Sequence, residues 1–355
     1  MSHNPIKKTR GFTDKIISKC FVPKYIILFF AVVFIGAACY IYNSFFFANL
    51  LYQHYPGVSY YYIAKKVTKG EPDIIKKSQM LVDYINQNVF TGPFPVKDLP
   101  PISNLIRGVG WCDQVSHLFL RLIGPLDVRG YLVFLNRSRD GTGASPHSIA
   151  VITPNTKEAL GYDDMIKQGV IVDVMQGVIF KNENGGDATF GDVCARNILE
   201  SQRKYFTGNP GIRYDIYCNK AGIFLYNTPI SMASQKRQLF YKYFYSRLPE
   251  WAIRLYQDMT LDRWYRRRYP KELGFLYYKA RNYHIYERFG EAIKLYDIVI
   301  EKTAEKEVAA KCLFFKGMAL YRMGRIDAAR KEFEKAIKDY PDSPWSSPAG
   351  EWLRK

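Results

Sequence analysis

The sequence predicts an α+β protein. A mixed domain, in which a helix carries a cysteine beside an antiparallel sheet, is followed by an all-α module of helical repeats and preceded by one N-terminal transmembrane helix. Three observations carry this. Residues 25–53 contain no Asp, Glu, Lys, Arg or His. Between Arg129 and Val174, three short segments rich in β-branched and aromatic residues are spaced by Gly, Ser and Asp. Near the C-terminus, small and aromatic residues recur at an offset of 37 residues.

At 355 residues the chain is about twice an ordinary domain, so more than one folded unit is expected. A hydrophobic share of 48% and an aromatic share of 16% exclude a disordered protein. The formal charge of +18 suits an acidic partner such as nucleic acid, anionic lipid or polysaccharide, depending on where the charge lies.

The uncharged run over 25–53 is long enough to cross a bilayer as a helix. Before it, residues 1–24 form a basic tail with Lys7, Lys8, Arg10, Lys15, Lys19 and Lys24 against Asp14. That bias holds the N-terminus in the cytoplasm of a single-pass bacterial inner-membrane protein and sends the rest into the periplasm. Gly36-Ala37-Ala38 before Cys39 offers a rival, a cleaved or lipid-modified leader. Apolar sequence continuing past Cys39, with Tyr40, Tyr42 and Phe45 to Phe47 as an interfacial belt, favours the membrane helix. In an oxidising periplasm Cys194 and Cys218 would be able to pair. No CxxC pair or HExxH run is present, so neither a metal nor a cofactor is expected.

Within residues 54–225, Pro72 to Val89 reads as an amphipathic helix, with Ile74, Ile75, Leu81, Tyr84 and Ile85 among Lys76, Lys77 and Asp83. Pro93, Pro95, Pro100 and Pro101 break the pattern before Gly108-Val109-Gly110. A second helix, Asp113 to Ile123, stops at Gly124-Pro125 and sets Cys112 at its N-terminus. A cysteine there meets free N–H groups and the positive end of the helix dipole, which favour a nucleophilic thiolate. Strands follow at Arg129–Leu135, His147–Ile152 and Gly169–Val174. They place His147 at a strand start, with Asp173 on the next strand able to accept from an imidazole.

Cys112, then His147 after 35 residues, then Asp173 after 26 more, in that secondary-structure order, resembles the transglutaminase-like domains of the papain-like superfamily over roughly residues 72–200. The resemblance implies Cys112 as nucleophile, His147 as general base and acid, and Asp173 as the orienting residue. His117 is the weaker partner, since five residues along a helix rotate it by about 140°. The Cys112 N–H is a natural oxyanion donor, with Trp111, Asn104 and Gln114 as candidates for shaping the site. The same three residues serve hydrolysis, acyl transfer to an amine, or a silent binding domain, and the sequence leaves these open.

Residues 226–274 read as a basic, aromatic helical linker. Over 236–282, twelve Lys or Arg stand against four acids. This reads as a solvated basic face, with anionic lipid or an acidic glycan as the alternative contact; nucleic acid is not expected beyond a membrane. In residues 275–355, Ala280, Tyr283, Ala292, Tyr296 and Val299 align with Gly317, Leu320, Ala329, Phe333 and Ala336. This resembles tetratricopeptide repeats, which implies a concave surface for a peptide or partner protein, capped by the helices of 236–278. Cys312 falls in a repeat helix and is expected to be buried. The expectation is a membrane-anchored thiol enzyme acting on an amide of a protein or envelope peptide, or else a silent scaffold of an envelope or polysaccharide assembly that uses the repeats.

Overall fold

The computed structural model describes residues 28–37, 45–91, 101–135, 147–154, 162–195, 197–202, 223–226 and 247–354. Residues 1–53 and 54–355 are separate compact units. In the first, residues 28–37 are helical, and Leu28, Phe29, Phe30, Val32, Val33, Phe34 and Ile35 are exposed. Among the described residues no helix is long and apolar enough to cross a membrane. The basic tail and residues 25–27 and 38–44 of the predicted span lie outside them. Helix α1, Phe45–Val67, continues past Gln53, the expected end of the span, and past Pro56. The cause is tertiary, because beyond His54 this helix buries Tyr55, Val58, Ser59, Ile63 and Ala64.

In the second unit, α2 (Ile74–Asn88) begins where Asp73 Oδ1 accepts the Lys76 N–H at 2.8 Å, and it buries Leu81, Val82, Tyr84 and Ile85. Helix α3 (Pro101–Arg107) stops at Gly108, whose φ of +75° suits glycine. The Phe90 N–H donates to Gly108 O at 2.9 Å and the Gly110 N–H to Phe90 O at 3.2 Å, joining Phe90 and Val109 in a parallel bridge. Helix α4 (Cys112–Ile123) follows, buries Val115, Leu118, Phe119, Leu122 and Ile123, and packs on the first two strands. Pro125 in the turn after it prevents continuation.

The sheet comprises β1 (Arg129–Leu135), β2 (His147–Thr153), β3 (Val170–Asp173), β4 (Val178–Ile179) and β5 (Ile223–Tyr226), antiparallel in the order β4-β3-β2-β1-β5. All seven residues of β2 are buried, which is why its sequence is nearly continuously apolar. Helix α5 (Tyr162–Gln168) precedes β3, and α6 (Phe190–Cys194) follows β4. The expected boundary at 225 falls inside β5, which pairs with β1.

The C-terminal part is helical: α7 (Glu250–Thr260), α8 (Glu272–Ile285), α9 (Phe289–Lys302), α10 (Lys306–Arg322), α11 (Ile326–Asp339) and α12 (Ser346–Leu353). Helices α8 and α9 pack as one hairpin and α10 and α11 as the next. A Cβ on Gly317 would stand 2.5 Å from Phe333 Cε1, so the small residue and the aromatic of the repeat pattern are two halves of one contact. At the C-terminal end α12 covers the stack, with Trp352 against Tyr321 at 4.9 Å between ring centroids. At the other end Tyr265 and Tyr269 stack on Tyr278 of α8 at 5.9 and 4.1 Å.

These helices share a buried seam with α1 and α2. The Tyr286 hydroxyl donates to that of Tyr55 at 2.7 Å and meets Ser59 Oγ at 2.6 Å, and Tyr55 bonds Asn282. The Tyr84 hydroxyl donates to Ile285 O at 2.6 Å. At the rim, Glu287 takes Lys66 at 3.2 Å and Arg322 at 2.8 Å.

Candidate functional site

Three elements bring the site together. Cys112 is the first residue of α4, His147 the first of β2 and Asp173 the last of β3. Ala150 pairs with Val172, so continuing the register sets Asp173 opposite Ile149, two residues from His147 and on the same face. That diagonal is closed by a contact of 2.9 Å between His147 Nε2 and Asp173 Oδ2, with both side chains buried. The second carboxylate oxygen, Oδ1, accepts the Gln176 N–H at 3.0 Å, which fixes the group.

Cys112 acts on the same imidazole, being among the groups that raise the His147 pKa. With Nε2 turned to Asp173, Nδ1 is the nitrogen left for the sulfur. One turn along α4, Ser116 Oγ donates to Ser148 O at 3.3 Å and pins the helix beside the start of β2. Burial is the largest single influence on His147 and opposes its charge. The hydrogen bond to Asp173 and the action of Cys112, with the negative charge of both, outweigh it and raise the pKa to about 9. Cys112 itself is half-buried and within reach of solvent.

The remaining candidates divide. Trp111, beside the thiol, is 44% exposed. The Gln114 Oε1 accepts the Trp111 N–H at 3.2 Å and so closes the first turn of α4. Asn104 is buried in α3, and its Oδ1 makes no hydrogen bond to any described residue. His117 belongs to another environment, as expected: Arg121 Nε donates to its Nε2 at 3.3 Å, and burial, then the charge of Arg121, lowers its pKa to about 4. Cys312 is buried in α10, where burial raises its pKa to about 12. The Cys194 side chain and Cys218 lie outside the described residues. Among the described residues no three or more His, Cys, Asp or Glu side chains are grouped as a metal site.

The basic stretch requires a correction. Residues 236–246 lie outside the described set, but the rest is not simply a solvated face. Arg281 is 0% exposed, Lys279 pairs with Asp262 at 2.6 Å, and Arg266 lies 4.6 Å from the centre of the Phe275 ring. Sequence reasoning missed Arg281 and the Tyr55–Ser59–Asn282–Tyr286 cluster. Their partners across the seam lie 175 to 231 residues distant, which leaves no local pattern.

The tetratricopeptide repeat family matches residues 310–343, the second predicted repeat, spanning most of α10 and all of α11. No curated protein and no solved structure matches the chain significantly.

Proposed function

We propose that this chain is a membrane-anchored thiol enzyme of transglutaminase-like type, acting on amides of a protein or cell-envelope peptide. The observation that carries it is the buried imidazole of His147, held by Asp173 at 2.9 Å, with Cys112 among the groups that raise its pKa. Cys112 Sγ attacks the amide carbonyl carbon while His147 holds the thiol proton. The negative charge on the carbonyl oxygen meets the N–H groups at the start of α4, which helix bonding leaves free. As the C–N bond breaks, His147 passes the proton to the departing amine and a thioester remains on Cys112. Water or a second amine then attacks that thioester, gives its proton to His147 and releases the thiol. Asp173 holds the imidazole in register throughout. Trp111, partly exposed beside the nucleophile, offers a flat apolar surface to the substrate chain.

The uncharged run of 25–53, the cations before it and the exposed apolar side chains of residues 28–37 support an anchor with the cytoplasm on the N-terminal side. Arg266, Arg267 and Arg268, with Trp251 at 68% exposure, support a contact with anionic lipid or glycan.

The test is alkylation of the full chain with iodoacetamide, read at each cysteine by mass spectrometry. Cys112 reacts at neutral pH faster than a free cysteine peptide, and His147→Ala removes the difference. Equal rates in a folded protein would overturn the enzyme. The family match at 310–343 favours a second reading, a silent scaffold whose repeats bind a partner. Full function in cells with Cys112→Ala would select it.

A further inference from the structure

Arg281 on α8 is 0% exposed, and among the described residues no carboxylate pairs with it. A buried guanidinium without a counter-ion is costly unless its donors are spent well. Nε donates to Ile106 O at 2.9 Å, and Nη2 donates to Leu105 O at 3.0 Å and to Asn88 O at 3.1 Å. Those carbonyls belong to the last turns of α2 and α3, where helix bonding leaves C=O groups unpaired and the helix dipole is negative. One side chain of the repeat module therefore closes two helix ends of the cysteine-bearing half. Its other face lies 3.6 Å from the centre of the Phe315 ring.

Both helix ends lead to the nucleophile. Two residues past Asn88, Phe90 bridges to Val109, three residues before Cys112. The Phe90 ring sits 4.8 Å from Phe314, 6.1 Å from Phe315 and 6.4 Å from Trp345, centroid to centroid. Asp173 and Ser148, by contrast, are held within the sheet and α4. The repeat helices thus brace the cysteine side of the site.

We infer that Arg281 is a positioning residue for Cys112, setting the entry of α4 so that the sulfur meets His147. This rests on the thiol-site reading above. The repeat module acts here on its own chain, through main-chain carbonyls, before any outside partner is considered.

The test follows iodoacetamide alkylation of Cys112 in the full chain from about pH 5 to about pH 10, across the range of cysteine and histidine titration. Wild type is expected to react rapidly at neutral pH. Arg281→Met slows the neutral rate by about tenfold, a loss of about 1.4 kcal/mol in alignment, and gives a rate that climbs with pH like an ordinary thiol. Arg281→Lys, keeping charge and a donor, recovers part of the rate. Trp352→Leu, which loosens α12 against Tyr321 at the C-terminal end of the stack, leaves the profile unchanged although it lowers the melting temperature. A cooperatively folded Arg281→Met with the wild-type profile overturns the inference. If that variant does not fold, Arg281→Lys and Phe315→Leu decide it: wild-type profiles in both overturn it, and slowed neutral rates support it. Failure of wild type itself to outpace a free cysteine peptide removes the thiol-site reading and this inference together, so the two failures are distinguishable.

Discussion

Gly108 lies directly against Phe315: a Cβ at position 108 would stand 2.3 Å from the ring's Cζ, and the backbone φ there is +75°. Side chain and backbone both exclude anything larger. Gly108→Ala is expected to cost roughly 2–4 kcal/mol, from the left-handed conformation and the overlap together. Adding Phe315→Leu relieves the overlap and leaves the backbone part, so chemical denaturation of the single and double variants separates the two.

Asp173 uses both oxygens, one on His147 at 2.9 Å and the other accepting the Gln176 N–H at 3.0 Å. Asp173→Ala strands a buried imidazolium and is expected to cost about 3–5 kcal/mol in urea unfolding. Asp173→Asn keeps an acceptor but not the charge, and NMR titration should find the His147 pKa moved down from about 9.

The histidines give the stability curve opposite slopes on its two sides. The His147 pKa is raised in the folded state to about 9, so its contribution is complete below the unfolded value, about 6.5, and is lost as pH rises through about 9. His284, in the repeat core, is pushed well below its usual range by burial and by the charges of Arg281 and Arg322, and His117 is lowered to about 4. In both cases the unfolded chain takes up the proton first, so acidification below about pH 6.5 destabilises the fold. Denaturation across pH should show an acid limb that His284→Gln flattens. The stability difference between wild type and His147→Gln should shrink through about pH 9; a constant difference would refute the assignment.

The hydroxyl of Tyr286 touches that of Tyr55 at 2.7 Å and Ser59 Oγ at 2.6 Å. Tyr286→Phe leaves two buried groups short of a partner and is expected to cost about 1–3 kcal/mol. Tyr84→Phe, losing a single bond to Ile285 O at 2.6 Å, is expected to cost about 1 kcal/mol. Equilibrium unfolding checks both, and the repeat helices should unfold together with the sheet.

Local signals were legible. Proline and glycine bracketed α4, β-branched runs gave β1, β2 and β3, and the offset of 37 residues located the repeat hairpins. The site elements followed because each is a continuous stretch whose own pattern defines it. Strand β4, of two residues, is too short to carry a period. Helix α1 continues past Gln53, where what holds Tyr55 and Ser59 is made of residues 282 and 286. Arg281 was misread for a related reason: a guanidinium is expected in water, and carbonyls at 88, 105 and 106 announce nothing in their side chains.

The bonds that hold the two halves together span long stretches of chain: 175 residues from Ile106 to Arg281 and 201 from Tyr84 to Ile285. A ribosome delivers Cys112, His147 and Asp173 well before the helices that cover Phe90, so the growing chain carries its sulfur with that support still unmade. Synthesis of the repeat helices becomes a timer. A chain cut short after the sheet would present the same thiol and imidazole without the frame around Phe90, and alignment would wait on those helices.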